Sequence, residues 1–294
     1  MMQSQTLRIN WLSLEIFMIN KYYLLISIFL YKSYKFLQRF FLKNPLYTTV
    51  FAVLYCIPLF RVKVSLLNEQ DLCRQLMNGS SFVRFGDGEI GILLHEGSED
   101  FQEYDKKLNA SLKKLIEYRG SNLIVGVPTR FITLNKKELE TKRTLLSRVW
   151  LPFKVYFLLY FNKKRKYADA HIFYQSKKAQ QVLFPVFKNK TLLFVTDKQT
   201  KKDIESKMRS LFFVGIWVVG SSVNAALYCD EITRSIDEYL EKCSVPLSDI
   251  IIVTSNGMAS KILVDYYLHT KLQVIDVGAG AHYFFTEEAL DMLL

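Results

Sequence analysis

The densest chemistry in the chain lies in six consecutive residues. Arg84-Phe85-Gly86-Asp87-Gly88-Glu89 sets one cation, two glycines and two acids in a row, the acids two residues apart. Glycines at 86 and 88 open backbone angles closed to other residues, so carboxylates that would alternate along a regular strand can converge on one point. Convergent carboxylates with open coordination positions suit Mg²⁺ or Mn²⁺, hard ions that prefer oxygen and bridge protein acids to a diphosphate. Asp87 and Glu89 are the expected metal ligands, and Arg84 is placed to add a charge-assisted contact to the same anion. The same residues also read as a hairpin, because Asp-Gly between apolar runs is a strong turn signal and would make Asp87 a turn residue.

Two further places carry chemistry. Ser255-Asn256-Gly257 ends an apolar run and opens a helix, so its backbone amides and the positive end of the helix dipole offer an anion site. The same arrangement caps an ordinary strand-to-helix turn. Val274-Ile275-Asp276-Val277-Gly278-Ala279-Gly280 resembles the glycine motif of S-adenosylmethionine-dependent methyltransferases. That motif should open its fold, whereas only 14 residues follow Gly280. A methyltransferase is therefore the alternative rather than the leading reading.

The elements that must hold these residues alternate. Short β-branched or aromatic runs at 81–85, 122–127, 171–175, 191–196, 213–219, 250–254 and 272–277 are separated by amphipathic stretches. This order predicts an α/β domain, a Rossmann-like, largely parallel sheet flanked by helices. Asn68 is the expected cap of a helix that stops at Gly79, and Met258, Ile262, Leu263 and Tyr266 form one apolar face after Gly257. The domain is expected over 67–294, with an insertion at about 136–167.

Taken in order, Arg84 to Glu89, Phe101-Gln102-Glu103-Tyr104-Asp105, Asp169-Ala170-His171-Ile172-Phe173-Tyr174, Asn224-Ala225 with Tyr228-Cys229-Asp230-Glu231-Ile232, the Ser-Asn-Gly helix start and Val274 to Gly278 resemble the GT-D-type glycosyltransferase family. The resemblance runs over about 68–285. It implies a metal-dependent enzyme that moves a sugar from a nucleotide diphosphate donor, a UDP-sugar for instance, to a glycan or lipid-linked acceptor in surface polysaccharide or glycoprotein glycan synthesis. Asp87 and Glu89 match the catalytic, metal-binding Asp-x-Glu motif, and Arg84 and Gly86 match its leading residues. Asn224, Ser255, Asn256 and Gly257 become the further donor-binding candidates. Asp197 to Lys202 lacks the glycine of the corresponding loop in many members, and Gly278 is followed by Ala-Gly-Ala where members tend to have Gly-His-Ile-Asp. The general base stays open among His95, Glu96, Asp230 and His282. A scaffold without catalysis is the remaining class.

Charge is unevenly placed. Residues 1–66 hold eight Lys/Arg and one acid, 67–130 eight and ten, 131–202 seventeen and four, and 203–294 six and thirteen. The acidic segments carry the motifs, while the N-terminal 66 residues are basic and aromatic, and their longest uncharged, mainly apolar runs, 22–31 and 46–60, are shorter than the roughly 20 residues that span a bilayer. They read as a helical segment lying on an anionic membrane surface, with a hairpin packed on the domain as the bland alternative and a spanning helix as the minority one. No helix-turn-helix, RNP or zinc pattern accompanies the basic stretches, so nucleic acid ranks below membrane contact and is not an expected partner. Cys56, Cys73, Cys229 and Cys243 form no CxxC pair, so the expected place is cytoplasmic, peripheral at the membrane.

Overall fold

The structure is a computed structural model that describes residues 62–98, 101–133, 153–154, 156–208 and 213–284. The membrane-surface reading of 1–66, save its last five residues, and the greater part of the insertion reading of 136–167 lie outside them. The chain divides into two units, one of Met1–Lys63 with Arg130–Lys163, the other of Val64–Thr129 with Lys164–Leu294.

In the second unit, eight strands among the described residues form one sheet: β1 (Ser65–Leu66), β2 (Ser81–Arg84), β3 (Leu123–Val127), β4 (Lys166–Asp169), β5 (Thr191–Thr196), β6 (Phe213–Val219), β7 (Ile250–Thr254) and β8 (Gln273–Asp276). Their order is β1-β4-β3-β2-β8-β7-β5-β6, and the paired neighbours run parallel. Strands β3, β5, β7 and β8 are buried at every residue, as a parallel sheet covered on both faces requires. Helices α1 (Glu69–Met77), α4 (Ser176–Phe187) and α5 (Lys198–Met208) cover one face, where Leu76, Leu183, Phe187 and Ile204 join Phe82, Phe194 and Ile275 in a single core. The others are α2 (Asp87–Leu93), α3 (Lys106–Glu117), α6 (Cys229–Lys242) and α7 (Ala259–Tyr267), followed by the short α8 (Ala281–Phe284). Helices α3 and α7 pack on each other, and α7 lies on β2 and β8.

The expected α/β sheet is therefore present, with two differences. The run 171–175 is not a strand. Ile172–Tyr174 is a 3₁₀ turn, and Phe173 points into the core edge-on to Phe82 at 5.0 Å. The strand beside β3 is instead Lys166–Asp169, so the last residues of the stretch read as an insertion belong to the sheet. Composition hid it behind the run Lys163-Lys164-Arg165-Lys166, of which Arg165 alone turns inward, donating to the carbonyls of Tyr118 and Leu123. In helix α7, Met258, Ile262 and Leu263 are buried as expected while Tyr266 is 55% exposed. Its hydroxyl donates to Asp237 across the surface at 3.2 Å.

The first unit shows helical turns at 153–154 and 156–160. Phe157 stacks on Phe161 at 4.9 Å, and Phe153, Tyr156, Phe157 and Phe161 are all buried. No helix among the described residues is long and apolar enough to cross a membrane.

Helix α1 begins as the sequence predicts. Asn68 accepts the Asp71 amide at 2.7 Å, and Gly79 follows with φ 85°. Asn68→Ala should cost about 1 kcal/mol, a fall in Tm of about 2–4 °C in a domain of this size, while Asn68→Asp keeps the native Tm. Equal melting of native and alanine forms would show the cap to be idle.

Candidate active site

Because the strands are parallel, their carboxyl ends share one edge of the sheet, and chain order decides which residues meet there. From β2 the chain steps outward to β3 and β4, crosses to β5 and β6, and then fills the gap with β7 and β8. Strand β8 so returns beside β2, with Phe82 opposite Ile275, and the ends of β2, β7 and β8 become neighbours. Ligands of open α/β sheets bind at such reversals of strand order.

Strand β2 ends at Arg84, and α2 starts at Asp87 with only Phe85 and Gly86 between them. The hairpin reading of Asp87 is thereby excluded. Glu89 folds back so that its Oε2 accepts the Gly86 amide at 2.7 Å, one half of a capping box. Among the described glycines, positive φ occurs at Gly79, Gly257 and Gly278, not at 86 or 88. Side chains instead lie close to both glycines. A Cβ on Gly88 would lie 2.6 Å from Met258 Cε, and one on Gly86 would lie 3.1 Å from Glu89 Oε2.

Behind this turn lies a buried cluster of two cations and two acids. Lys261 Nζ, on α7, sits 2.9 Å from Glu89 Oε1 and 3.0 Å from Asp276 Oδ2. The same Asp276 oxygen accepts the Arg84 amide at 3.2 Å. The Arg84 guanidinium lies over the Tyr174 ring and donates long bonds, 3.4 Å each, to the carbonyls of Ala170 and Val277. Residue exposures of 7% for Glu89, 3% for Lys261 and 0% for Asp276 leave little water to screen these charges. Burial pushes the Glu89 carboxyl up, but Lys261, a backbone hydrogen bond and the charge of Arg84 together hold the group below its ordinary value. Burial likewise pushes Lys261 down, and Asp276 with Glu89 reverses that, so its ammonium persists above its ordinary range.

Asp87 stands apart from this cluster with an exposed face. The protein packed round its carboxyl, and next the charge of Glu89, raise its pKa, while His171 acts against them. His171 leaves the end of β4 held by Asp169, whose Oδ1 lies 3.1 Å from the His171 amide and 3.7 Å from Nδ1. Asp169 is pushed up by burial and brought below its ordinary value chiefly by that histidine.

The other sequence candidates fall on the β6 and β7 ends. Ser255 uses its amide on the Val195 carbonyl and its hydroxyl on Thr196. Asn256 is fully buried, with neither end of its carboxamide bonded, and a Cβ on Gly220 would sit 2.9 Å from its Nδ2. Gly257 has φ 54°, and a Cβ there would lie 2.6 Å from the Ser222 carbonyl. Asn224 clamps a neighbouring loop, its amide donating to Phe101 and its Oδ1 accepting from Glu103 at 2.7 Å. Among the base candidates, Asp230 is tied to Lys107, His282 lies 3.1 Å from Thr200 and 3.6 Å from Asp203, and His95 packs on Tyr104.

Sequence reasoning missed Lys261 and gave Asp276 to a cofactor motif. That motif is packed shut. A Cβ on Gly278 would meet Arg84 Nη2 at 2.4 Å, and one on Gly280 would meet Phe173 Cβ at 2.7 Å. The signal available was Lys261 itself, a lysine next to Ile262 and Leu263 on an otherwise apolar face.

The two motif acids should respond oppositely to loss of charge. A raised carboxyl pKa means that the folded state binds the proton more tightly, so ionised Asp87 opposes folding at neutral pH. Asp87→Asn should raise Tm at pH 7, with the gain gone near pH 3, below the ordinary value of 3.8. Glu89 has a lowered value, so its contribution is present above its ordinary 4.5 and is lost as pH falls further, through the folded value. Lys261 has a raised value, so its contribution holds below 10.5 and is lost as pH climbs through the folded value. Lys261→Met, which leaves two acids against Arg84, should cost about 3–5 kcal/mol between about pH 5 and 10. A Tm that falls in Asp87→Asn, or is unmoved in Lys261→Met, would contradict these assignments.

The family model of the glycosyltransferase GT-D fold matches residues 82–284. A selenomethionine-substituted structure of domain of unknown function 1792 superposes with TM-score 0.62 at 21% identity, covering 83% of this chain and 85% of that one. A new glycosyltransferase of that domain from Streptococcus sanguinis gives 0.62 at 19%, over 78% and 85%. A third, described as a distinct glycosyltransferase fold of the same domain, gives 0.62 at 21%, over 82% and 84%. No curated protein matches the chain. With the carboxyl-edge site and a family match over more than two thirds of its length, the chain belongs to the GT-D-fold glycosyltransferases.

Proposed function

We propose that the chain transfers a sugar from a nucleotide diphosphate donor, a UDP-sugar in the first instance, to a glycan or lipid-linked acceptor, with Mn²⁺ or Mg²⁺ bound at Asp87. Surface polysaccharide or glycoprotein glycan synthesis is the setting that such an acceptor implies. The observation that carries the reading is Asp87, an exposed residue where β2 passes into α2 at the sheet's carboxyl edge, inside the stretch that the GT-D family matches; packing round its carboxyl and the charge of Glu89 also raise its pKa. Functional sites concentrate such perturbed groups, and a cation beside Asp87 relieves the perturbation.

The donor set fits the ion. No three of His, Cys, Asp or Glu among the described residues gather to hold a metal alone. Mg²⁺ is, however, commonly held by one or two carboxylates together with substrate phosphates. When bound, the metal offsets the negative charge that grows on the departing diphosphate. The chain's own groups frame that anion. Helix α7 directs its amino end at the edge, and the unbonded Asn256 carboxamide beneath it has donor and acceptor atoms for a polar ligand. Arg84 adds fixed positive charge behind the turn, raised by Asp276 against its burial, and stays protonated at any working pH.

Anionic membrane on the cytoplasmic side is the surface on which we place the acceptor. Residues 1–66 carry a net +7 from eight basic residues and one acid, and Lys163, Lys164 and Lys166 are exposed. Each such charge near an anionic leaflet contributes about 1 kcal/mol. The full chain should sediment with phosphatidylserine vesicles, bind phosphatidylcholine vesicles far less, and leave the anionic ones as salt rises from about 0.1 to 1 M, where screening shortens to about 3 Å. Equal binding to both lipids would remove the electrostatic reading.

The donor reading is tested by melting. UDP at about 100 times its dissociation constant should add roughly 2.7 kcal/mol with Mn²⁺ present, and far less without it. Asp87→Asn should lose the shift, and turnover of a labelled UDP-sugar should fail in the same variant. A metal-independent shift with S-adenosylmethionine, and none with any nucleoside diphosphate, would overturn the proposal.

A further inference from the structure

We infer that the two acids of the Asp-x-Glu motif do different work: Asp87 alone faces the metal and diphosphate, and Glu89 is a positioning residue that anchors Lys261 and holds the turn from which Asp87 projects. This rests on the proposed function for the role of Asp87 and on the geometry alone for Glu89.

Both oxygens of Glu89 are already engaged. Oε1 meets the Lys261 ammonium at 2.9 Å, and Oε2 accepts the Gly86 amide at 2.7 Å. The residue is 7% exposed, whereas Asp87, two residues earlier, presents an open face. A divalent cation at Glu89 would have to sit within a few ångströms of a buried ammonium, where like charges in a poorly screened interior repel strongly. Lys261 does not leave easily, because its second partner Asp276 is fully buried 3.0 Å away. The cluster is also balanced, Arg84 and Lys261 against Glu89 and Asp276, with no charge left to offset a metal. Asp87 stands outside that balance and is exposed. The Gly86 bond fixes the start of α2, so Glu89 reaches the chemistry through the backbone that carries its neighbour.

The division is tested on the full chain with Mn²⁺ as probe, its binding followed by electron paramagnetic resonance at saturating UDP and corrected for UDP alone. Asp87→Asn should weaken Mn²⁺ uptake at least tenfold. Glu89→Gln keeps the Gly86 contact and should leave uptake within about twofold while lowering Tm. Should that variant fold poorly, Glu89→Gln with Lys261→Met keeps the question open to measurement, since it leaves Arg84 against Asp276 and so restores balance. The double variant should melt higher than Glu89→Gln alone and keep native-like Mn²⁺ uptake. A folded double variant that loses Mn²⁺ as completely as Asp87→Asn would overturn the inference by making Glu89 a ligand. Absence of uptake by the native chain would instead remove the metal from the proposed function and Asp87's share of this division. The ordering of the melting temperatures would still decide the role of Glu89.

Discussion

A lysine ammonium with 3% exposure must be met by acids, and the way Lys261 is met organises the carboxyl edge of the sheet. Its two partners come from different elements, Glu89 from the helix after β2 and Asp276 from the last strand, while Lys261 itself stands on α7. Three segments separated by up to 187 positions in sequence are thus fixed to within hydrogen-bond distance. Buried ion clusters give little net stability compared with well-packed apolar side chains, because desolvation offsets the attraction. What this one supplies is geometry. An apolar cluster tolerates sliding, whereas an ammonium between two carboxylates tolerates very little.

The strand order makes that cluster possible. Had β8 paired outside β6, Asp276 would have lain at the sheet's far edge, and Glu89 would have been a buried acid beside a lone lysine. With β8 between β2 and β7, the register that sets Val253 against Ile275 and Phe82 against Ile275 brings three carboxyl ends level. Arg84 then reaches the exits of two strands, the adjacent β8 through Val277 and β4, beyond β3, through Ala170. The chain must stay narrow there, which accounts for Gly278 against the guanidinium and Gly280 against Phe173.

Much of this was legible in the sequence wherever burial on both faces leaves an unbroken apolar run. Strands β5 and β6 lie at 191–196 and 213–219 as read, β7 at 250–254, and the cap at Asn68 is in place. Two kinds of feature were not legible. One is the element whose composition mimics another. His171-Ile172-Phe173-Tyr174 has strand-like residues but turns to pack Phe173 on Phe82, and the true strand carries a lysine at its exposed start. The other is the charged residue on an apolar face, because periodicity treats Lys261 as an exception rather than as a partner awaiting Glu89 and Asp276. Pairing is a tertiary fact, and single-sequence patterns hold no record of it.

The same reasoning explains why a motif read as two equivalent acids becomes asymmetric once folded. Spacing of two places Asp87 in the first turn of α2 and Glu89 where its side chain can reach back to the Gly86 amide. Helix geometry alone separates them, one facing out and the other returning to the interior. Burial raises both carboxyls, yet the net shifts are opposite in sign, since Glu89 has Lys261 to offset its desolvation and Asp87 has Glu89 to aggravate it. An acid stabilised by its surroundings is a poor place for a cation to gain energy, and an acid destabilised by them is a good one. On the proposed function, the fold of the turn thus leaves Asp87, rather than Glu89, as the exposed acid that would meet a divalent ion.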